Sequence, residues 1–114
     1  MAKQHTKECL TAMLAIRDAL DVINGKWKLI ILVSISAGNC KFREIERSIP
    51  RITSKVLAKE LKDLEEHQLI KRTVHTDIPV RVEYTVTTYA KSLDKVIREL
   101  KDWGVNHRKK IFAK

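Results

Sequence analysis

The stretch RITSKVLAKELKDLEEHQLIKR, Arg51 to Arg72, has the apolar spacing of a helix but carries its charges against the helix dipole. Arg51, Lys55 and Lys59 stand toward its start, and Asp63, Glu65 and Glu66 toward its end. A helix backbone leaves partial positive charge at its N-terminus and partial negative charge at its C-terminus. Each of these placements therefore opposes the dipole by roughly 0.3–1 kcal/mol when exposed. The side-chain pairs do not repair the conflict. Lys55 and Lys59 repel at a spacing of four, while Lys59/Asp63 and Lys62/Glu66 attract in the less favourable order, cation first. Stability alone explains the pattern poorly, and an external anion near the helix start explains it better.

Thr53 is a good N-cap for this helix. At about 100° per residue, Leu57, Leu61 and Leu64 fall on one side with Thr53, and Lys55, Lys59 and Lys62 fall on the other. Upstream, Asn39 is a candidate N-cap for a short helix whose one face is Phe42, Ile45 and Ile49, and which must stop before Pro50. A short helix, a tight turn and a second helix that buries leucines and shows a lysine ridge make a helix-turn-helix. In that motif the second helix enters the DNA major groove by its N-terminal part.

Further out, LIKRTVH and VRVEYTVT both alternate, with Ile70 and Val74 on one face of the first and Val80, Val82, Tyr84 and Val86 on one face of the second. The connector Thr76-Asp77-Ile78-Pro79 makes them a hairpin, and a hairpin directly after a helix-turn-helix is a wing. Thr87 or Thr88 caps a last helix with Leu93, Val96, Ile97, Leu100 and Trp103 in register, which Gly104 is placed to bend or break before the basic tail. At the other end, Cys9, Met13, Ile16, Leu20 and Ile23 form a helical stripe closed by Asn24-Gly25. Leu10, Leu14 and Val22 lie off that stripe, so the surplus apolar surface predicts a helix covered from two sides. KWKLIILVSISAG fits an alternating strand or a buried helix; we read it as helix.

The chain has 114 residues, 44% of them hydrophobic and 32% charged, which suits one soluble unit with a single core. The net charge of +9 is uneven: residues 26–62 hold nine Lys/Arg against three acids, and residues 103–114 hold four against none. A localised basic surface favours a polyanionic partner, nucleic acid ahead of an anionic membrane. The start MAKQHTKE lacks the apolar run of a leader, and Leu29 to Val33 is too short to span a bilayer, so the expectation is a cytoplasmic protein without membrane association. Cys9 and Cys40 have neither metal-ligand spacing nor a disulfide framework.

The segments ALDVINGKWKLIIL, KFREIERSIPRITSKVLAKELKDLEEHQLIKR and IPVRVEYTVT, followed by DWG, together resemble the HxlR family of bacterial transcriptional regulators, winged-helix relatives of MarR. The resemblance spans about residues 9–104 and supports the helical reading of KWKLIILVSISAG. It implies a mainly α fold with a small β-hairpin: four helices, the wing, and one or two closing helices. It also implies a homodimer built through the first helix (9–23) and the C-terminal helices (88–112) around a helix-turn-helix (41–67) and wing (69–87), within one winged-helix unit over residues 1–114. The implied partner is double-stranded operator DNA. Leu10, Val80 and Ala90 depart from the family's usual proline, proline and glycine.

Within that frame Thr53 and Ser54 offer hydroxyls to phosphates or base edges, and Lys55 and Lys59 reach phosphates or guanine acceptors. Lys62 faces phosphate or solvent, and Lys41, Arg43 and Arg81 are candidate backbone clamps; for each cation the bland reading is a solvated charge. Cys9 matches the position at which some relatives sense oxidants or electrophiles. A helix start with Lys7 nearby favours thiolate, whereas Glu8 and the apolar stripe favour an inert packed thiol. Cys40 reads as a turn or core residue, with a link to Cys9 of another subunit left open. His5, His67, His75 and His107 are scattered, Gly25-Lys26 makes no phosphate loop, and no catalytic constellation or cofactor motif is present, so an enzyme is not expected. The main rival is a winged-helix module that binds RNA or a protein partner without thiol sensing.

Overall fold

The computed structural model describes residues 6–113; Met1–His5 and Lys114 lie outside them, and with them His5 and most of the start MAKQHTKE. Helices α1 (Lys7–Ile23), α2 (Lys28–Ser36), α3 (Phe42–Ser48) and α4 (Ser54–Glu66) precede strands β1 (Ile70–His75) and β2 (Arg81–Val86). A short 3-10 turn, Tyr89–Leu93, leads into α5 (Asp94–Phe112). The two strands pair antiparallel with Ile70 opposite Val86 and Val74 opposite Val82. This is the expected winged helix-turn-helix, mainly α with one hairpin.

The core forms where α2, α3 and α4 converge on the base of the hairpin. Ile31, Ile45, Leu57, Leu64 and Leu69 are fully buried, joined by Leu61, Ile35 and Ile70. The expected leucine face of α4 is thus the buried one. Its start is capped as predicted, the Thr53 Oγ1 accepting from Val56 N at 3.2 Å. Its end is a Schellman turn: Leu69 N donates to Leu64 O and Gln68 N to Glu65 O, both at 3.0 Å, with Gln68 at φ 62°. The wrapped end seats Leu69 in the core and starts β1 one residue later.

Several expectations are corrected. Asn39 does not cap α3; its amide donates to the Ser34 carbonyl and hydroxyl at 3.2 Å and so ties off α2. Lys41 holds the N-cap position instead, because the Glu44 carboxylate reaches back to accept from both Lys41 N and Cys40 N at 3.1 Å. Arg51 is not the first residue of α4 but lies in the preceding turn at φ 68°, a left-handed backbone unusual for a side chain of its size. Val80 sits in the hairpin loop, 64% exposed, rather than on the packed face of β2. Neither threonine caps α5, whose N-cap position Leu93 holds: Thr88 stands at the N-cap of the 3-10 turn, and the Thr87 hydroxyl accepts from Ala90 N of that turn at 3.0 Å. Gly104 does not end the last helix: α5 runs through it to Phe112 as one element.

The two terminal helices project from this centre. Of α1 only Ile23 is buried, while Met13, Ile16 and Leu20 are each more than half exposed. No residue of α5 is buried, and Leu100 and Trp103 are 51% and 66% exposed. The radius of gyration, 17.7 Å, exceeds the roughly 13 Å of a compact chain of this length. Within one chain the stripe on α1 is therefore the right pattern without its cover.

Candidate nucleic-acid interface

Burying Leu57, Leu61 and Leu64 turns the opposite face of α4 outward by geometry alone. Lys55, Lys59 and Lys62 are all exposed along it, and no acid occupies the first turn. Lys55 and Lys62 form no ion pair among the described residues. Lys59 does: its ammonium, 71% exposed, lies 3.5 Å from Asp63 Oδ2 and 3.6 Å from Glu60 Oε2. Glu60 first, then Asp63, holds that ammonium charged above its ordinary range. The resulting ridge is a row of cations on a rigid helix with its positive dipole end leading, an arrangement suited to polyanion phosphates.

The two hydroxyls at the leading end behave differently. Thr53 is committed to capping. Ser54 donates its proton to Glu46 of α3, so what it keeps for an outside group is oxygen lone pairs, which accept rather than donate. Lys41 and Arg43 are exposed at the start of α3. Arg81 opens β2 at the hairpin mouth, 46% exposed, with only a distant Asp77 carboxylate at 3.9 Å. The sequence-predicted cations thus occupy the two helices of the helix-turn-helix and the wing. Arg51, outside the predicted set, adds an exposed cation to the turn between the helices.

Lys28 is the cation that sequence reasoning misplaced. Counted among the basic excess, it is instead 5% exposed, with its Nζ 2.6 Å from Glu60 Oε1, 3.6 Å from Asp63 Oδ2 and 3.3 Å from Asn24 Oδ1. No local pattern marks it; the signal is a glutamate 32 positions away on the flank of α4.

The wing is fastened to the helix-turn-helix at Cys40. Its carbonyl accepts from Tyr84 N at 2.7 Å, and its thiol lies 3.6 Å from Glu83 Oε2 and 3.8 Å from Glu44 Oε1. Burial, then the bond to Glu83 and the charge of Glu44, pushes the Cys40 thiol up and keeps it protonated. Glu83 in turn meets His75 Nε2 at 2.6 Å, and this contact, followed by the thiol, holds its carboxyl below the usual 4.5. A carboxylate with a lowered folded-state pKa contributes stability that is fully present above its ordinary value and is lost as pH falls through the lower one. Glu83→Gln should therefore flatten the acid side of the stability curve, read as urea midpoints from pH 6 down to pH 3. An acid limb as steep as in the unmodified protein would remove Glu83 from the account.

Cys9 is exposed, in the first turn of α1, where its backbone N–H donates to the Thr6 hydroxyl at 3.1 Å. Cys40 is likewise a free thiol and lines an open groove of about 660 Å³ between α2, β2 and α5 together with Val33, Lys91 and Arg98. Among the described residues no group of His, Cys, Asp or Glu could hold a metal ion, and no helix is long and apolar enough to cross a membrane.

A family model described as HxlR-like helix-turn-helix matches residues 22–112. YtcD of Bacillus subtilis, an HTH-type transcriptional regulator, is 35% identical over 100 residues, covering 88% of this chain and 79% of that protein. The crystal structure of YtcD superimposes with a TM-score of 0.77 at 37% identity, over 82% of this chain and 96% of that one. The redox regulator HypR in its reduced form superimposes with a TM-score of 0.79 at 32% identity, over 88% of this chain and 99% of that one. These relatives regulate transcription and are not enzymes. With the family model spanning the helix-turn-helix, the wing and the closing helix, the chain belongs to the HxlR-like helix-turn-helix family and is a transcriptional regulator.

Proposed function

We propose that the protein binds operator DNA as a homodimer, with the N-terminal half of α4 in the major groove and the hairpin against the adjoining backbone. The observation that carries this reading is the division of α4 into a fully buried leucine face and an exposed lysine face behind a wing. Lys55 and Lys59 meet phosphates or guanine edges; Ser54 offers an acceptor, and Thr53 sets the helix start. Lys62, Lys41, Arg43 and Arg81 neutralise backbone phosphates around that centre. Residues 1–114 act as one winged-helix unit. The exposed apolar faces of α1 and α5, with Leu20, Leu100 and Trp103 each more than half open, support self-association.

Cys9 gives this regulator a chemical input. It is exposed near the start of a helix that we place in the dimer contact, so an added group there changes the packing on which the spacing of the two reading helices depends. The similarity to the redox regulator HypR supports the assignment.

A single set of titrations tests the whole reading. A labelled 30-base-pair duplex is competed with single-stranded RNA and with an acidic protein, before and after alkylation by N-ethylmaleimide, alongside sedimentation of the free protein. The expected result is a mass about twice the chain's 13.2 kDa, preference for duplex with steep salt dependence, and loss of that preference on alkylation that Cys9→Ser prevents. RNA or protein outcompeting duplex would replace the DNA reading, and alkylation without effect would leave Cys9 a packing residue.

A further inference from the structure

The exposed face of α4 is shaped from inside the protein. Glu60 and Asp63 lie between Lys59 on the surface and Lys28 beneath it: Glu60 turns one oxygen to each lysine, and Asp63 Oδ2 stands 3.6 Å from Lys28 and 3.5 Å from Lys59. The four charges balance. The distances do not, since Lys28 takes Glu60 at 2.6 Å while Lys59 stands about an ångström further off. Lys28 is fixed there by burial and by Asn24 at the end of α1, whereas Lys59 is 71% exposed and held only by its longer contacts to Glu60 and Asp63.

We propose that Lys28 is a positioning residue for Lys59: by binding Glu60 tightly and sharing Asp63 from the core side, it offsets one of the two negative charges beside Lys59 and leaves that ammonium available to a DNA phosphate. The alternative partition makes the consequence plain. Without Lys28 the same two carboxylates carry net charge −2 against a single cation, and Lys59 becomes their counterion instead of the phosphate's. Partly buried charges are poorly screened, so the two acids hold it far better than an isolated surface pair would. The buried pair therefore sets how many phosphates the reading helix neutralises. This rests on the proposed binding of duplex DNA by α4.

The test measures the salt dependence of binding to a fluorescein-labelled 30-base-pair duplex of random sequence, because the slope counts neutralised phosphates and needs no operator. Lys28→Met should lower the slope by about 0.9 per subunit, matching Lys59→Ala. Adding Glu60→Gln to Lys28→Met should restore it, since Lys59 then faces a net charge of −1 from Asp63 alone, the same net charge as from two acids and Lys28. Glu60→Gln alone, which keeps Lys28 paired to Asp63, should tighten binding by about threefold or more at low salt. A merely structural role for Lys28 lowers the melting temperature and leaves the slope of the folded protein unchanged; that result overturns the proposal. Should Lys28→Met fail to fold, unchanged or weaker binding by Glu60→Gln overturns it equally. Failure of the unmodified protein to bind the duplex at all would instead reject the reading of α4.

Discussion

Replacing Lys55 and Lys59 together by alanine is expected to weaken duplex binding on the order of 100-fold at low salt, with the loss shrinking as salt rises. Each lysine that neutralises a phosphate releases condensed counterions, and each lost contact lowers the slope of log affinity against log salt by about 0.9. Across the two subunits of the proposed dimer the double variant removes four contacts, so the slope should fall by between three and four. Folding should be untouched. Both side chains are exposed, Lys55 opposes the helix dipole, and the Lys59–Asp63 pair is a surface pair at a spacing of four. Equal melting temperatures with a collapsed salt slope is the signature to look for. An unchanged slope would mean that the ridge meets solvent, as many basic surfaces do.

The opposite profile is expected from Leu57→Ala, a change on the other side of the same helix turn. Leu57 has no exposed surface, and its side chain closes the space between α4 and the rest of the core. Truncating a buried leucine removes its transfer free energy and leaves a cavity, at a combined cost of about 2–5 kcal/mol. For a small unit of marginal stability that is a large share of the whole. The urea midpoint should fall sharply, while the protein that remains folded should retain an unaltered salt slope. A loss below 1 kcal/mol would show that the leucine face is not the keystone of the packing.

Both predictions were accessible before any coordinates, because they rest on spacings within one helix. Leucines at positions 57, 61 and 64 share a face at the helical period, Thr53 has the chemistry of a cap, and the alternation on either side of residues 76–79 fixes the strand pairing. What escaped detection depends on residues distant in sequence. Lys28 looked like one more surface cation because Glu60, its partner, belongs to another element, and Glu60 itself drew no notice. Asn39 lost the cap of α3 to a carboxylate at Glu44 that could reach two backbone donors at once. Arg51 was assigned to the helix by its place in the charge pattern, yet the chain must reverse before Thr53, and it does so with a left-handed residue. Gly104 was read as a place to bend or break the last helix, yet a glycine there costs only about 1 kcal/mol, and the helix continues through it to Phe112. The apolar stripe of α1 was correctly periodic, but period alone does not say whether the cover belongs to the same chain.

The projection of α1 and α5 carries a thermodynamic corollary. Helices of 17 and 19 residues that bury almost nothing are only marginally ordered in water, so the ends of a solitary chain fray long before its centre melts. In the proposed homodimer the second copy that settles on those helices is rewarded by their ordering, and the midpoint of unfolding is then expected to rise with protein concentration. Abundance itself becomes a variable of the fold: a scarce regulator is a looser one.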